Sequence, residues 1–407
     1  MSKRPLVCLV DPYGDGHHPM YAAVYAEACR ELGAETWVVA PPSVTDWLSK
    51  SGHRADRCVP WEWEDKPVSR GIARARETAT LLWQELGKIL DKQATLSGRY
   101  PDFLMILYLD SFISEQLSGE VIERHVRCPF AGLWFKPPRP LGWTSRDVAK
   151  RFLRWGRRYR SLRSRLWAAI MLLDPEGTHA FQQKRNSQRI FRVPEFTVTA
   201  LPAAEPPLII EMRDRAAGRS VCSLVGSIEK RKGVRAFLRA AVAAPTSEWY
   251  FVIAGKVAWS TFDDELKTLL SDLAGGSDSR VLVADGWLDD ETLNSVIADS
   301  ALLHACYENW PYSSNMLCKA AAFQVPTVAS DEGYLSRMVR RYNLGMVVPS
   351  PEEMPHLFRS GFSSRVSQIA ESADFREGCK AYLLANSPEA LTPALRVGLQ
   401  GLVTGLG

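Results

Sequence analysis

The chain has 407 residues, 46% of them hydrophobic and 24% charged, with 50 Lys/Arg against 46 Asp/Glu. These values exclude a disordered or collagen-like chain. A mean hydropathy of −0.15, with no apolar run near ~20 residues, excludes a membrane-spanning helix. At ~100–200 residues per domain, the length predicts two domains.

The amino terminus has a short basic start and a five-residue apolar run, 6–10. A secretory signal needs roughly 7–15 apolar residues, so a cytoplasmic protein is expected. The eight cysteines lack a CxxC pair and read as reduced core thiols. Thirteen tryptophans is a high count, and seven fall in the first 145 residues. They read either as ordinary core aromatics or as a sugar-stacking or lipid-facing surface. Charge is uneven: between Arg146 and Arg165 there are nine Lys/Arg and one acid, a local +8 that leaves the rest at −4. That does not describe a general nucleic-acid binder.

The run 5–10 predicts a buried strand, and Asp-Pro-Tyr-Gly-Asp-Gly follows as a glycine-rich loop. Met20, Ala23, Val24, Ala28 and Leu32 then recur at helical spacing until Gly33. A second strand spans 35–40. Strand, helix and strand over about 36 residues form a βαβ unit with parallel strands. A helix over 67–94 and strands over 103–109 and 129–135 come next. The basic segment reads as a helix, with Phe152, Trp155, Tyr159, Leu162, Leu166 and Ala169 at spacings of three and four. Another βαβ-like stretch runs to about 192. Leu201-Pro-Ala-Ala-Glu-Pro-Pro207 reads as the linker.

Beyond 219 the alternation restarts. Strands are expected over 221–225, 249–254, 281–284, 301–305 and 326–329. Helices are expected over 234–244, 290–298 with Asp289 as N-cap, 314–323 and 335–342. A last helix is expected over about 388–402.

Three strand-to-helix loops carry candidate chemistry. Gly14-Asp-Gly16-His17-His18 sits where a parallel sheet binds ligands. Its third glycine position holds Pro19, so it is no dinucleotide fingerprint. It serves either as a tight turn with surface histidines or as a site for hydroxyls or phosphate, with no ligand spacing for a metal. Gly226-Ser-Ile-Glu-Lys-Arg231-Lys232-Gly233 places three cations at a helix start, as an anion site or as a solvated turn; the P-loop order is missing. Tyr307-Glu308-Asn-Trp-Pro-Tyr-Ser313-Ser314-Asn315 puts hydroxyl and amide groups at another helix start, for capping or for phosphate oxygens. The last two loops should open on one edge of one sheet. The basic helix reads as a solvated face or, with Trp155, Tyr159 and Trp167, as a contact for an anionic membrane.

With these residues in view, the chain resembles the GT-B glycosyltransferases, and its second half resembles glycosyltransferase family 4. The resemblance rests on Val225-Gly226 followed by a turn ending in Lys232-Gly233, on 319–330 with Asp331-Glu-Gly333, and on 339–345. It covers roughly 221–350, and 5–40 more weakly. The implied fold is α/β, with two Rossmann-like doubly wound parallel-sheet domains facing a cleft. The implied domains are an acceptor-binding domain over 1–200, a linker over 201–218 and a nucleotide-sugar domain over 219–385. The segment 386–407 would pack back on the first domain. Two departures stand out: the family's paired glutamates fall on Pro311 and Lys319, and Gln324 replaces a glycine.

The resemblance implies transfer of a sugar from a nucleotide-sugar donor, UDP- or GDP-linked, with retention and without metal. Gly226, Arg231, Lys232, Glu308, Ser313, Ser314 and Asn315 would bind the donor. Gly14, Gly16 and His18 would bind the acceptor, a lipid-linked or polysaccharide hydroxyl. His17 and Asp110 are the expected catalytic residues, Asp110 having strand-end capping as its other reading. Residues 146–167 would bring the enzyme to the membrane periphery, and no nucleic acid is expected. A nucleotide-sugar epimerase and a catalytically silent relative acting as a scaffold are the alternatives; Lys319 favours the silent relative.

Overall fold

A computed structural model describes residues 3–64, 71–114, 117–137, 161, 164–174, 190–275 and 279–403. It divides into two compact units, 1–194 with 388–407 and 195–387.

The first unit is built on seven strands: β1 (Leu6–Val10), β2 (Glu35–Ala40), β3 (Arg57–Pro60), β4 (Phe103–Ile106), β5 (Phe130–Trp134), β6 (Trp167–Leu172) and β7 (Ile190–Arg192). Their order is β3-β2-β1-β4-β5-β6-β7, and every pairing is parallel. A parallel sheet covered on both faces demands unbroken apolar strands. Leu-Val-Cys-Leu-Val of β1 meets that demand, buried along its whole length. The helix His18–Glu31 starts at Pro19, whose missing N–H costs nothing in a first turn. It ends at Gly33, where φ is 86°. The helix Leu391–Leu399 packs on it and on β6 and β7, and Gly398 lies so close to the Phe191 ring that a Cβ would collide.

The second unit holds six strands: β8 (Ser220–Val225), β9 (Trp249–Gly255), β10 (Val281–Asp285), β11 (Leu302–Ala305), β12 (Thr327–Ser330) and β13 (Gly345–Val348). Their order is β10-β9-β8-β11-β12-β13, again all parallel. Helices Val234–Ala243, Asp290–Ala298, Met316–Ala322 and Tyr334–Arg341 connect them. Asp289 caps its helix through the Thr292 N–H at 2.7 Å. In both sheets the strand order reverses beside the first strand, between β1 and β4 and between β8 and β11. Such a reversal opens a crevice at the carboxyl ends of the strands.

Several expectations need correction. The strand after Asp102 stops at Ile106, and Leu109–Phe112 is a single helical turn. The span 201–218 is not a linker: Pro207–Ala216 is a helix of the second unit, and the division falls at 194/195. Proline at a helix start misleads here, because Pro-rich composition reads as a break. The last helix is shorter than 388–402, with a 3-10 turn at Pro388–Ala390 before Leu391–Leu399. Most of the basic segment 146–165 lies outside the described residues. Its extension to Ala169 does not hold, because Trp167 begins β6 and packs on Phe130 at 4.4 Å between ring centroids. All eight cysteines are free thiols, and seven are buried.

Candidate functional site

In the second unit the crevice edge is set by two glycines. Gly226, directly after β8, has φ 92°, and Gly233 has φ 71°. Gly233 packs so tightly on the Cys306 carbonyl that any Cβ would collide. Between them Lys230–Lys232 form one 3-10 turn. This geometry folds Lys232 inward: its side chain is buried, and its Nζ donates to the Val225 carbonyl at 2.7 Å. It also lies 5.5 Å from the centre of the Tyr307 ring. One acceptor for three donors leaves the ammonium under-coordinated. Burial, with Arg231 adding to it and Glu229 opposing, pulls its pKa down to about 7. A buried lysine of this kind gains from an incoming anion.

Arg231 stays half-exposed. Its Nε donates to Glu229 at 2.8 Å, and its guanidinium lies 4.0 Å from the centre of the Trp310 ring. Trp310 belongs to the loop after β11, whose Glu308 N–H donates to the Arg231 carbonyl at 2.7 Å. The two expected donor loops therefore meet at one strand edge. Burial and the neighbouring Glu352 push the Glu308 carboxyl up, against Lys230 and Arg235. Trp310 Nε1 donates to the Ser313 carbonyl at 3.1 Å, and Ser314 hydrogen-bonds the Tyr307 hydroxyl. Asn315 stands at the N-cap of Met316–Ala322 without a side-chain capping bond, so capping does not account for it. His304 on β11 is fully buried and pulled down to about 4 by burial; its Nε2 donates to the Lys232 carbonyl at 2.9 Å. It holds the basic turn from behind.

Lys319 is elsewhere. Its ammonium is buried and saturated by the Val198 carbonyl at 2.9 Å, Asp290 Oδ1 at 2.9 Å and Asn294 Oδ1 at 2.7 Å. The position that matches the family's second glutamate thus ties the segment entering the unit to the helix Asp290–Ala298.

In the first unit, Asp11 follows β1, Tyr108 and Asp110 follow β4, and Phe135 follows β5. Asp11 is buried and bonds His18 Nδ1 through Oδ2 at 2.8 Å, while its Oδ1 accepts from the Tyr13 N–H at 3.1 Å. Burial pushes the Asp11 carboxyl up, against the pull of His18. His17 and His18 stack at 4.8 Å, but their environments differ. His17 packs on Tyr21 and Phe135, its Nε2 is buried without a partner, and burial pushes its pKa down to about 3. It is a neutral ring at working pH. Asp110 spends both oxygens on backbone N–H groups, of Phe135 at 2.9 Å and Lys136 at 3.0 Å, and burial raises it to about 6. It holds the loop after β5. Gly16 supplies φ 59° in the turn, and Gly14 abuts Ser43. Asp11, Tyr13, Tyr108 and Phe135 were not expected. For Asp11 the signal was present: it is the first polar residue after an unbroken apolar strand. Among the described residues no cluster of three or more His, Cys, Asp or Glu side chains could hold a metal.

Two doubly wound parallel units, each with polar loops at its strand reversal, define the GT-B architecture. Solved structures share it. The Anabaena protein HepE in complex with UDP and glucose matches with TM-score 0.63 at 13% identity, over 97% of this chain and 99% of that one. Sucrose-phosphate synthase from Thermosynechococcus elongatus matches with TM-score 0.63 at 16% identity, over 96% and 97%. WaaG, a glycosyltransferase involved in lipopolysaccharide biosynthesis, gives TM-score 0.55 at 14% identity, over 94% and 100%. Comparison with curated proteins gives no match. The family model described as Glycosyl transferases group 1 matches residues 219–358, the segment that carries both basic-turn and Ser-Ser-Asn loops. The chain therefore has the GT-B fold, and its residues 219–358 are similar to the glycosyl transferases group 1 family.

Proposed function

We propose that the protein transfers a sugar from a nucleoside-diphosphate sugar, UDP- or GDP-linked, to an acceptor hydroxyl, with retention and without metal. The observation that carries this reading is the buried Lys232 ammonium, with one carbonyl acceptor, beside the Gly226 turn. Breaking a sugar–phosphate bond loads charge onto the leaving diphosphate, and fixed cations meet that charge without reorganisation. Lys232 and Arg231 face the diphosphate, with Gly226 allowing close approach. Ser313, Ser314 and Asn315 complete the donor loop, and Glu308 takes hydroxyls. HepE, whose structures hold UDP and UDP-glucose, supports a uridine donor by likeness of fold. The acceptor, lipid-linked or polysaccharide, belongs to Gly14, Gly16, His18 and their surroundings. His17 and Asp110 shape that site rather than exchange protons. Contact of residues 146–167 with an anionic membrane completes the reading; liposome co-sedimentation tests it. Among the described residues no helix is long and apolar enough to cross a membrane.

The test is a thermal-shift panel of UDP-, GDP-, dTDP- and ADP-sugars in EDTA, on the wild type and Lys232→Ala. A ligand at a hundred times its Kd stabilises by about 2.7 kcal/mol. One nucleotide series should shift the wild type and not the variant. Failure of all four series refutes the donor site. The alternative, a silent relative, predicts donor binding with no turnover.

A further inference from the structure

The second unit holds a cavity of about 430 Å³ along β13, toward the amino end of that strand. The donor loops follow the carboxyl ends of β8 and β11, so the cavity lies apart from them. β13 is the last strand of its sheet and pairs on one side only. Its register sets Gly345 against Thr327 and Val347 against Ala329. The Thr327 N–H donates to the Leu344 carbonyl at 2.9 Å, and the Asp331 N–H to the Val348 carbonyl at 2.8 Å. Alternate residues of a parallel strand bond a given neighbour, so Leu344, Met346 and Val348 serve β12. Gly345 and Val347 therefore aim their N–H and C=O groups outward, and both residues line the cavity. Among the described residues these four groups have no hydrogen-bond partner. An open edge of this kind is normally covered. Here the helix Phe362–Glu371 buries Phe362 and Val366 in the core on one face of the sheet and packs Ile369 against the core on the other. It passes round the β13 edge and leaves the cavity beneath it. Val339, Ile369 and Phe375 make the cavity's apolar wall. Arg340 also lines it, but its guanidinium is spent on Asp331, with Nη2 at 2.8 Å from Oδ2. The remaining charge is Asp374, in the first turn of the helix Ala373–Ala385, and among the described residues it has no ion-pair partner.

We propose that this edge of the second unit takes an extended peptide of a partner protein as a seventh strand. The outward groups of β13 recur every second residue, about 6.6 Å along a parallel strand. Another extended chain carries donors and acceptors at that same period, and main-chain bonds to Gly345 and Val347 supply its affinity. Sequence choice comes from the walls. An apolar side chain packs on Val339, Ile369 and Phe375, and a Lys or Arg meets the open Asp374 carboxylate, since complementary charge fixes register and partner. A second copy of this chain fits less well. It carries the same helix round its own β13, and the two helices would meet before the two edges could pair. The site stands independently of the transferase reading.

Hydrogen exchange of the free full chain, read residue by residue by NMR, is the first test. The Gly345 and Val347 amides should exchange fast beside slow Met346 and Val348 amides. Equal protection of all four overturns the proposal. The probe for binding is a phage-displayed library of linear dodecapeptides, panned on the full chain. Recovered peptides should combine apolar and basic residues and slow exchange at Gly345 and Val347. Val347→Pro should weaken them about tenfold. Proline removes an N–H that the sheet does not use, which an edge strand tolerates. Val347→Thr keeps that N–H and should bind within threefold of wild type. Asp374→Ala should weaken binding and flatten its salt dependence. Recovery of no peptide, or of peptides that bind Val347→Pro as well as wild type, overturns the proposal. If Val347→Pro does not fold, the exchange at Gly345 and Val347 decides alone: peptides that leave it unchanged overturn the site. A dimer in sedimentation velocity that Val347→Pro dissolves gives the edge to a second copy and overturns the peptide.

Discussion

Replacing Lys319 by glutamate restores the residue found in the resembling family, and the structure predicts that this harms the protein. Lys319 Nζ meets three acceptors and no donor: Val198 O, Asp290 Oδ1 and Asn294 Oδ1. Lys319→Met keeps the volume and removes the cation. The Val198 carbonyl retains the Asn294 Nδ2 bond at 3.2 Å. Asp290, half-exposed, regains water. The main loss is then one buried amide oxygen and the pair energy, about 1–3 kcal/mol. Lys319→Glu puts a buried carboxylate against three oxygens. Breaking a buried ion pair by removing one partner costs about 3–5 kcal/mol, and charge reversal should reach the top of that range, about three and a half decades in the folding equilibrium. Urea unfolding with the two units followed separately is the assay, because a two-unit chain need not unfold in one step. The second unit's midpoint should fall in the order wild type, Met, Glu. A glutamate variant as stable as wild type, or one with tighter donor binding, would refute the placement of Lys319 inside this network.

Three further outcomes follow from the same geometry. Lys232, pulled down to about 7 from an ordinary 10.5, binds fewer protons folded than unfolded between those values. Stability from this group therefore rises with pH above about 7, and an anionic donor reverses the shift by drawing a proton in. Calorimetry in buffers of different ionisation enthalpy should show proton uptake on nucleotide binding and weaker affinity above pH 7; a Kd constant from pH 6.5 to 8.5 would count against it. Trp310→Ala removes the ring over Arg231, worth about 0.5–2 kcal/mol, so the donor Kd should rise several-fold while the melting temperature of the first unit stays put. Gly233→Ala forces a Cβ into the Cys306 carbonyl at φ 71°. It should cost more than the ~1 kcal/mol of an ordinary glycine substitution, read as a lower urea midpoint of the second unit.

Most of the fold was legible, for a physical reason. Parallel strands buried on both faces must be unbroken apolar runs, and the runs at 5–10, 35–40, 221–225 and 249–254 lie within a residue or two of β1, β2, β8 and β9. The failures share a cause as well. Leu107 and Leu109 continue an apolar run past the end of β4, where burial under a helical turn asks for the same residues as a strand. Trp167 to Leu172 fits helical spacing when joined to the basic segment, yet its pairing with β5 is set by a distant part of the chain.

Within the candidate site, address was legible and direction was not. Both donor loops could be placed at strand ends by spacing, and they do meet through Arg231 and Trp310. Spacing cannot say which of two adjacent histidines turns toward a carboxylate. One stacked ring is buried and neutral, and the next has Asp11 at 2.8 Å. The same limit applies at Lys319. Read as a position in a motif, a lysine in place of a glutamate argues against a working donor site. Read as a side chain with three oxygen partners, it says nothing about the donor, because its ammonium is spent on Val198, Asp290 and Asn294. The cation proposed for the donor site is Lys232, whose Nζ donates to the Val225 carbonyl. A charge reversal in a family pattern therefore weighs against function only when the reversed group is shown to face the ligand.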